Sequence, residues 1–345
     1  MGSPSENTSF LSKLPKAELH LHLEGMLLPR RVMSLAQKYS VPVETDEVHS
    51  RYNLRGFSQF LELFKWATSF LRQPDDFALL AEDAAAALHE QGVVYAEITL
   101  SVGVMLFRKQ NVSANFQALR EVFVRNAAAN TGPQVQFIFD AVRQFGPIAA
   151  MEVARLGASL QNNGVVAFGL GGDELSLPLS DFRSAYKFAA SQGLHLLAHA
   201  GETGGPEQIQ DAIDVLHAER IGHGIAAIRS SALMNTLANR KIALEICPTS
   251  NLCTNALNIQ LNSSNSKLEH HPLRKLFRSG VPVTISTDDP AMFHTTLVEE
   301  YSAALQMGLT LDDLLTINRN AFQYAFLPDS VRESFLAQLP GRSAK

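Results

Sequence analysis

Eight short runs of apolar and β-branched residues alternate with longer amphipathic stretches along the 345-residue chain. That alternation restricts the fold more than any other feature of the sequence. The runs cover residues 17–22, 93–101, 135–142, 165–170, 195–200, 220–223, 242–247 and 283–287. Helical patterns occupy 75–91, 114–129, 146–161, 179–192, 206–218, 230–240 and 272–279. Several of these stop at Gly92, Gly164, Gly193 or Gly280, as helices do where the backbone turns left-handed. A parallel strand pair needs a crossover, usually a helix, so this order predicts an α/β fold with a parallel sheet closed as a (β/α)8 barrel. Functional groups then belong at the C-terminal ends of the strands. The competing arrangement, an open doubly wound sheet, lacks its Gly-x-Gly-x-x-Gly turn here, since Gly169 to Gly172 fall on the fourth strand without that spacing.

The runs end in a repeated manner. His20-Leu21-His22 closes the first, ahead of Leu23-Glu24-Gly25, and imidazoles at i and i+2 of a strand point to one side, where a single ion can take both. His199-Ala200-Gly201-Glu202 closes the fifth, Gly222-His223-Gly224 the sixth and Ser286-Thr287-Asp288-Asp289-Pro290 the eighth. On a barrel these ends converge. His20, His22, His199 and Asp288 then supply three neutral nitrogens and one carboxylate, a set that suits one Zn2+ per chain and leaves room for a water. The pKa of such a water falls toward about 7, so the predicted chemistry is hydrolytic.

The remaining polar groups at these ends have two readings each. Glu202, on the loop after the fifth strand, either passes a proton to a ring nitrogen of the substrate or is a carboxylate favoured by the helix N-terminus before Pro206. His223 takes the proton of the metal's water, or is a satisfied core histidine. Asp289 follows Asp288 and points the other way, which frees it to bind substrate or orient the nucleophile. Gly171-Gly172-Asp173-Glu174 brings a backbone amide against a planar ligand, or is a tight turn. His270 and His271 precede Pro272 and read as a helix start, Asp140 carries no assignment, and His49, His89, His195, His217 and His294 show no partner pattern.

The whole chain, 1–345, reads as one metal-dependent hydrolase barrel domain with a helical insertion over about 26–90. Phe57, Phe60, Phe64, Trp66 and Phe70 lie there at helical spacing, either packing on the barrel or forming a lid over its mouth. A net charge of −5 without a Lys/Arg cluster gives no electrostatic hold on nucleic acid or an anionic membrane. Cys247 and Cys253 are not spaced as a zinc knuckle and suit a reducing compartment. The first fifteen residues lack the layout of a signal peptide, and no apolar run nears eighteen residues, so the expected location is cytoplasmic. Nothing in the sequence sets the oligomeric state.

Taken in order, Lys16-Ala17-Glu18-Leu19-His20-Leu21-His22-Leu23-Glu24-Gly25, Gly172-Asp173-Glu174, His199-Ala200-Gly201-Glu202, Arg220-Ile221-Gly222-His223-Gly224, Glu245-Ile246-Cys247-Pro248-Thr249-Ser250-Asn251 and Ser286-Thr287-Asp288-Asp289-Pro290 closely resemble the adenosine deaminase family of the amidohydrolase superfamily. The resemblance runs over about 14–327. It implies a mononuclear zinc barrel that hydrolyses the exocyclic amine of a 6-aminopurine to a 6-oxopurine and ammonia. It also implies His20, His22, His199 and Asp288 as zinc ligands, Glu202 as proton donor to N1 and His223 as the group that activates and orients the hydroxide. Asp289 is assigned to N7 and the backbone of Gly172 to N3. The cytidine-type deaminase pattern, a His-x-Glu followed by Pro-Cys-x-x-Cys, is absent from the sequence.

Glu24 departs from the family pattern, which usually has an aspartate at the 5′ end of the ribose. His-Leu-Glu-Gly is similar instead to relatives acting on free adenine or on modified adenosines, including the 6-amino-6-deoxyfutalosine deaminases of menaquinone synthesis. Phe64-Lys65-Trp66 and Ser101-Val102-Gly103-Val104 resemble that bacterial branch as well. The expected substrate is a purine nucleoside, adenosine or a 5′-modified derivative, met in part by Glu24. The alternatives are an adenine deaminase or a catalytically silent purine-binding barrel. A binuclear amidohydrolase is disfavoured by Gly171-Gly172, where a bridging lysine or acid would stand.

Overall fold

The computed structural model describes residues 4–340. Its strands are β1 (Lys16–His22), β2 (Val93–Leu100), β3 (Gln134–Val142), β4 (Val165–Gly171), β5 (His195–Ala200), β6 (Arg220–His223), β7 (Ala243–Ile246) and β8 (Val283–Ile285). They lie in sequence order in one eight-stranded sheet, every neighbouring pair parallel. Beyond β8 the chain bridges back to β1, Leu21 pairing in parallel with Asp288. There His22 N–H donates to Asp288 O at 2.9 Å and Asp288 N–H to His20 O at 3.1 Å. The chain folds as the TIM barrel that the strand–helix alternation predicts, and its closing bonds join two of the motifs predicted to carry chemistry.

Strand residues with outer faces covered by helices are buried on both sides, so the strands are apolar nearly throughout. β1 departs from this most. Ala17 and Leu19 pack outward against Phe322 and Ala325, while Lys16, Glu18, His20 and His22 alternate with them and are also buried. The lumen accordingly contains a polar column: Arg220 donates to Glu97 at 2.5 Å and to Glu245 at 2.6 Å, with both carboxylates fully buried. Below it the ring of Phe326 stands 3.8 Å from the Arg220 guanidinium and closes the N-terminal end of the barrel with Ile138, Ala167 and Leu197.

Between β1 and β2 lie the helices Pro29–Lys38, Thr45–Tyr52, Phe57–Thr68 and Pro74–Glu90. The last is set by Pro74 in its first turn and a capping box between Gln73 and Asp76. Gly92, which ends it, has φ +72°, and a Cβ there would stand 2.7 Å from Ser12 O. Two helices follow strand ends without any expectation from the sequence: Val102–Phe107 after β2 and Pro248–Cys253 after β7. Residues 101, 242, 247 and 286–287, expected as strand, lie outside it. Past β8 come Pro290–Phe293, Leu297–Gln306, Leu311–Gln323 and Asp329–Gln338, where the sequence reading had no helix. Among the described residues no helix is long and apolar enough to cross a membrane.

Candidate active site

The strand ends bring the predicted donor atoms together. His22 Nε2 lies 3.3 Å from His199 Nε2 and 3.3 Å from Asp288 Oδ1, and His20 Nε2 lies 3.3 Å from the same oxygen. His20 Nε2 is buried and has no hydrogen-bond partner. Bonds of about 2.0–2.1 Å to a tetrahedral ion separate two ligand atoms by about 3.3–3.4 Å, so these contacts fit the shell of one four-coordinate metal. His20, His199, His223 and Asp288 form one group able to hold a metal ion, and His22, Asp288 and Asp289 form another that shares Asp288.

Burial holds His22 and His199 at about 3, which keeps both imidazoles neutral and free to ligate. For His20 burial acts in the same direction, but the facing carboxylates of Asp288 and Glu245 outweigh it and push the ring up to about 10. Two carboxylates around one imidazole therefore create a strong demand for positive charge at this spot. Glu245 Oε2 meets His20 Nδ1 at 2.7 Å, which turns Nε2 into the cluster, and Arg220 holds the other oxygen of Glu245. Asp288 Oδ2 accepts from Ser250 Oγ at 2.7 Å. Asp288 and His223 have φ of +68° and +60°, a left-handed backbone that non-glycine residues avoid and that collects at functional positions.

Glu202 and His223 face the same space. Glu202 Oε1 accepts from Thr254 Oγ1 at 3.0 Å, and its Oε2 lies 3.7 Å from His223 Nε2. Burial, reinforced by the negative charge of Asp288, pushes the Glu202 carboxyl up to about 8, so it holds its proton at neutral pH. A hydrogen-bond chain fixes the tautomer of His223. Leu273 N–H donates to His271 Nδ1 at 3.1 Å, which places the His271 proton on Nε2, 3.2 Å from Asn251 Oδ1. The Asn251 amide then donates to His223 Nδ1 at 3.1 Å, leaving the proton of the neutral His223 on Nε2, toward the cavity. His223 thus presents a donor, which favours the orienting half of its expected role over the proton-accepting half.

The cavity above these groups measures about 420 Å³. His22, His199, Glu202, His223, Asp288 and Asp289 form its floor, and Gly172 its side. Asp289 is pushed well above the usual carboxylate range by burial and by the charge of Asp288, and its Oδ1 has no partner. A Cβ at residue 25 would come within 2.2 Å of that oxygen, so Gly25 makes room for the carboxyl. Asp140 also reaches the cavity, its oxygens occupying the space that side chains at Gly169 and Gly171 would fill.

Glu24 is placed differently from its expectation. Its Oε1 accepts from Ser101 N–H at 3.0 Å, and its Oε2 is buried without a partner. Glu24 borders a separate void of about 10 Å³ with Phe64, Thr68 and Arg108, one layer behind the cavity wall. Burial pushes its carboxyl up to about 7.

The aromatic segment divides. Phe57, Phe60 and Phe64, three and four residues apart on the helix Phe57–Thr68, line the cavity from above. Phe70 is buried in the core and stacks edge-on with Trp66 at 5.4 Å. Arg108 ties this roof to the helix Val102–Phe107 by donating to the Thr68 and Lys65 carbonyls at 2.6 and 2.9 Å. Phe107 and Phe145 stack at 4.8 Å at the cavity mouth. Sequence reasoning missed Arg108, Thr254 and the Asn251–His271 pair. Asn251 stood at the end of a motif without an assigned role, and His271 read only as part of a helix start.

Residues 15–340 match the adenosine deaminase family. The aminodeoxyfutalosine deaminase of Streptomyces coelicolor is 36% identical over 331 residues, covering 94% of this chain and 83% of the relative. The adenine deaminase of Chelativorans sp. is 35% identical over 327 residues, covering 94% and 98%. Among solved structures, the adenine deaminase from Arthrobacter aurescens superposes with a TM-score of 0.87 at 26% identity, covering 94% of this chain and 97% of that one. Extent, motif order and barrel agree: the chain belongs to the adenosine deaminase family and is a hydrolase of carbon–nitrogen bonds.

Proposed function

We propose that the protein is a zinc-dependent purine nucleoside deaminase. It replaces the 6-amino group of an N9-substituted 6-aminopurine by oxygen from water, releasing ammonia. The observation that carries this reading is the set of three 3.3 Å contacts that link donor atoms of His20, His22, His199 and Asp288 beside a carboxyl that keeps its proton at neutral pH. His20, His22, His199 and Asp288 would hold the ion. When bound, zinc supplies a Lewis acid that brings the pKa of a ligated water to about 7.

The chain's own groups do the rest. Glu202, fixed by Thr254, gives its proton to purine N1, which makes C6 electrophilic. His223 donates from Nε2 to the oxygen of the attacking water and holds it against C6. The two protons of that water go to the leaving amine and to the carboxylate of Glu202, so the products are the 6-oxopurine and ammonia and the donor is restored. Asp289, with its proton retained, donates to N7, and the Gly172 amide donates to N3. These contacts orient the ring and let the carboxyl of Glu202 reach N1 rather than bulk water.

Beyond the base, the cavity falls in the range of about 300–1,000 Å³ that encloses a drug-sized ligand. A bare purine leaves the roof of Phe57, Phe60 and Phe64 unfilled. We therefore favour adenosine or a 5′-modified derivative such as 6-amino-6-deoxyfutalosine, with the stacked Phe107 and Phe145 and the Lys65 side chain at the mouth available to the 5′ substituent. An adenine deaminase is the second reading, favoured by the position of Glu24 behind the wall. Comparing kcat/KM for adenine, adenosine, 5′-deoxyadenosine, 5′-methylthioadenosine and 6-amino-6-deoxyfutalosine decides between them. Adenine as the best substrate refutes the nucleoside reading.

A further inference from the structure

The loop that presents Glu202, residues 201–205 between β5 and the helix Pro206–Asp214, obtains its amide partners from a single buried side chain. Glu174 is 2% exposed and lies just past β4. Its Oε2 accepts from Gly201 N–H at 3.2 Å and Gly204 N–H at 2.6 Å, and its Oε1 accepts from Glu202 N–H at 3.0 Å. None of these amides belongs to the helix that starts at Pro206, so the carboxylate is not a helix cap. From the other side Gln260 Nε2 donates to Glu202 O at 2.8 Å and Gly204 O at 2.7 Å, and Ala226 N–H donates to Gly201 O at 2.9 Å. A Cβ on Gly204 would stand 2.7 Å from Glu174 Oε2, so glycine is what permits this approach.

Burying a carboxylate is unfavourable unless its charge is used in strong hydrogen bonds, and three backbone donors on one group are such a use. The Arg143 guanidinium nearby offsets part of the charge. The consequence is positional. With its peptide groups held on both edges, the loop sets the Glu202 carboxyl against the Thr254 hydroxyl and toward His223. We propose that Glu174 is the positioning residue for the proton donor, fastening the loop so that Glu202 meets the substrate ring. This rests on the reading of Glu202 as that donor.

Misplacing a catalytic group by about 1 Å lowers the rate by as much as about 10²-fold, which sets the size of the effect. Glu174→Gln keeps the shape but turns an NH2 group toward backbone donors. It should retain bound zinc and leave KM within about threefold, while kcat falls by about 10–100-fold. Amide exchange at 201–205 should accelerate at least about tenfold with the rest of the barrel unchanged. In a Glu202→Gln background the same change should lower kcat by less than about twofold more, because residues that act as a unit are not additive. Parental kcat and exchange in Glu174→Gln, or an equal fractional loss in both backgrounds, overturns the proposal. The two readings fail separately: Glu202→Gln with less than about tenfold loss removes the donor role itself, whereas a large loss there beside an inert Glu174→Gln removes only the positioning role. Should Glu174→Gln not accumulate as folded protein, Glu174→Asp, with a shorter arm, should show a smaller kcat loss and the same non-additivity; parental kcat there also overturns it.

Discussion

The floor and the roof of the cavity are built by different means. On the floor, side chains come from strand ends or the residues just after them, are buried, and are mostly held by partners that are themselves buried: Glu245 on His20, Ser250 on Asp288, Asn251 on His223, Thr254 on Glu202. The roof is a helix outside the barrel, whose Phe57, Phe60 and Phe64 are only partly buried and touch one another at ring separations of about 6 Å, 6.1 and 5.9. Dispersion and the Arg108 hydrogen bonds to the helix end hold it there. Hydrogen-bonded networks in a low-dielectric core are rigid, whereas apolar contacts tolerate repacking. On the proposed function, this difference puts the reaction on the floor and the choice of substrate on the roof.

The largest effects are therefore expected on the floor. His20→Ala and Asp288→Ala should each abolish metal binding and deaminase activity together, measured by metal analysis and ammonia release on the same sample; either variant with bound zinc and parental rate breaks the proposed ligand set. Glu202→Gln should keep the metal and lose about 10²–10⁴-fold in kcat, the usual share of a general acid–base group. A loss below about tenfold would show that the proton comes from elsewhere.

On the roof the effect should move from kcat to specificity. Phe64→Ala removes an aromatic wall worth about 1 kcal/mol or more, so kcat/KM for an N9-substituted substrate should fall by about tenfold, mostly through KM, while the rate on adenine changes little. An equal loss on adenine and on the nucleoside would erase the division between the two regions.

The smallest effect lies in the support beneath the floor. Burial holds the His271 imidazole at about 3, against about 6.5 when unfolded. A histidine with a lowered folded pKa stabilises fully above the unfolded value, and this stability is lost as pH falls from about 6.5 toward 3, because only the unfolded chain takes up the proton. Between pH 6.5 and 5 the loss is about 2 kcal/mol. Urea unfolding at pH 7 and pH 5 should show that much more acid sensitivity in the parent than in His271→Gln. Equal sensitivity would mean that His271 is not kept neutral by its site.

What could be read from the sequence follows the same division. The strands were legible because each is a short run rich in apolar and β-branched residues set between helical patterns, and the metal-site candidates because histidine and aspartate at strand ends announce their chemistry by residue type. Ser250, Asn251, Thr254 and His271 were not, since serine, asparagine and threonine are ordinary residues until a fold sets them 38, 28 or 52 positions away from the partners they hold. Glu24 was read as facing the ligand, yet the amide of Ser101 at the start of an unforeseen helix draws one of its oxygens behind the wall. The helices after β8 did carry local cues that a reading led by chemical motifs passed over: Thr296 and Thr310 cap Leu297–Gln306 and Leu311–Gln323 by accepting from the N–H groups of Glu299 and Asp313.

The central claim is that one zinc, held by the floor, serves the deamination of an N9-substituted 6-aminopurine. Stripping the metal with a chelator and titrating zinc back while following ammonia release from adenosine and 6-amino-6-deoxyfutalosine tests it most directly. Activity should be absent at the start, rise linearly and reach its plateau at one zinc per chain. A plateau at two, or full activity in the stripped protein, contradicts the account.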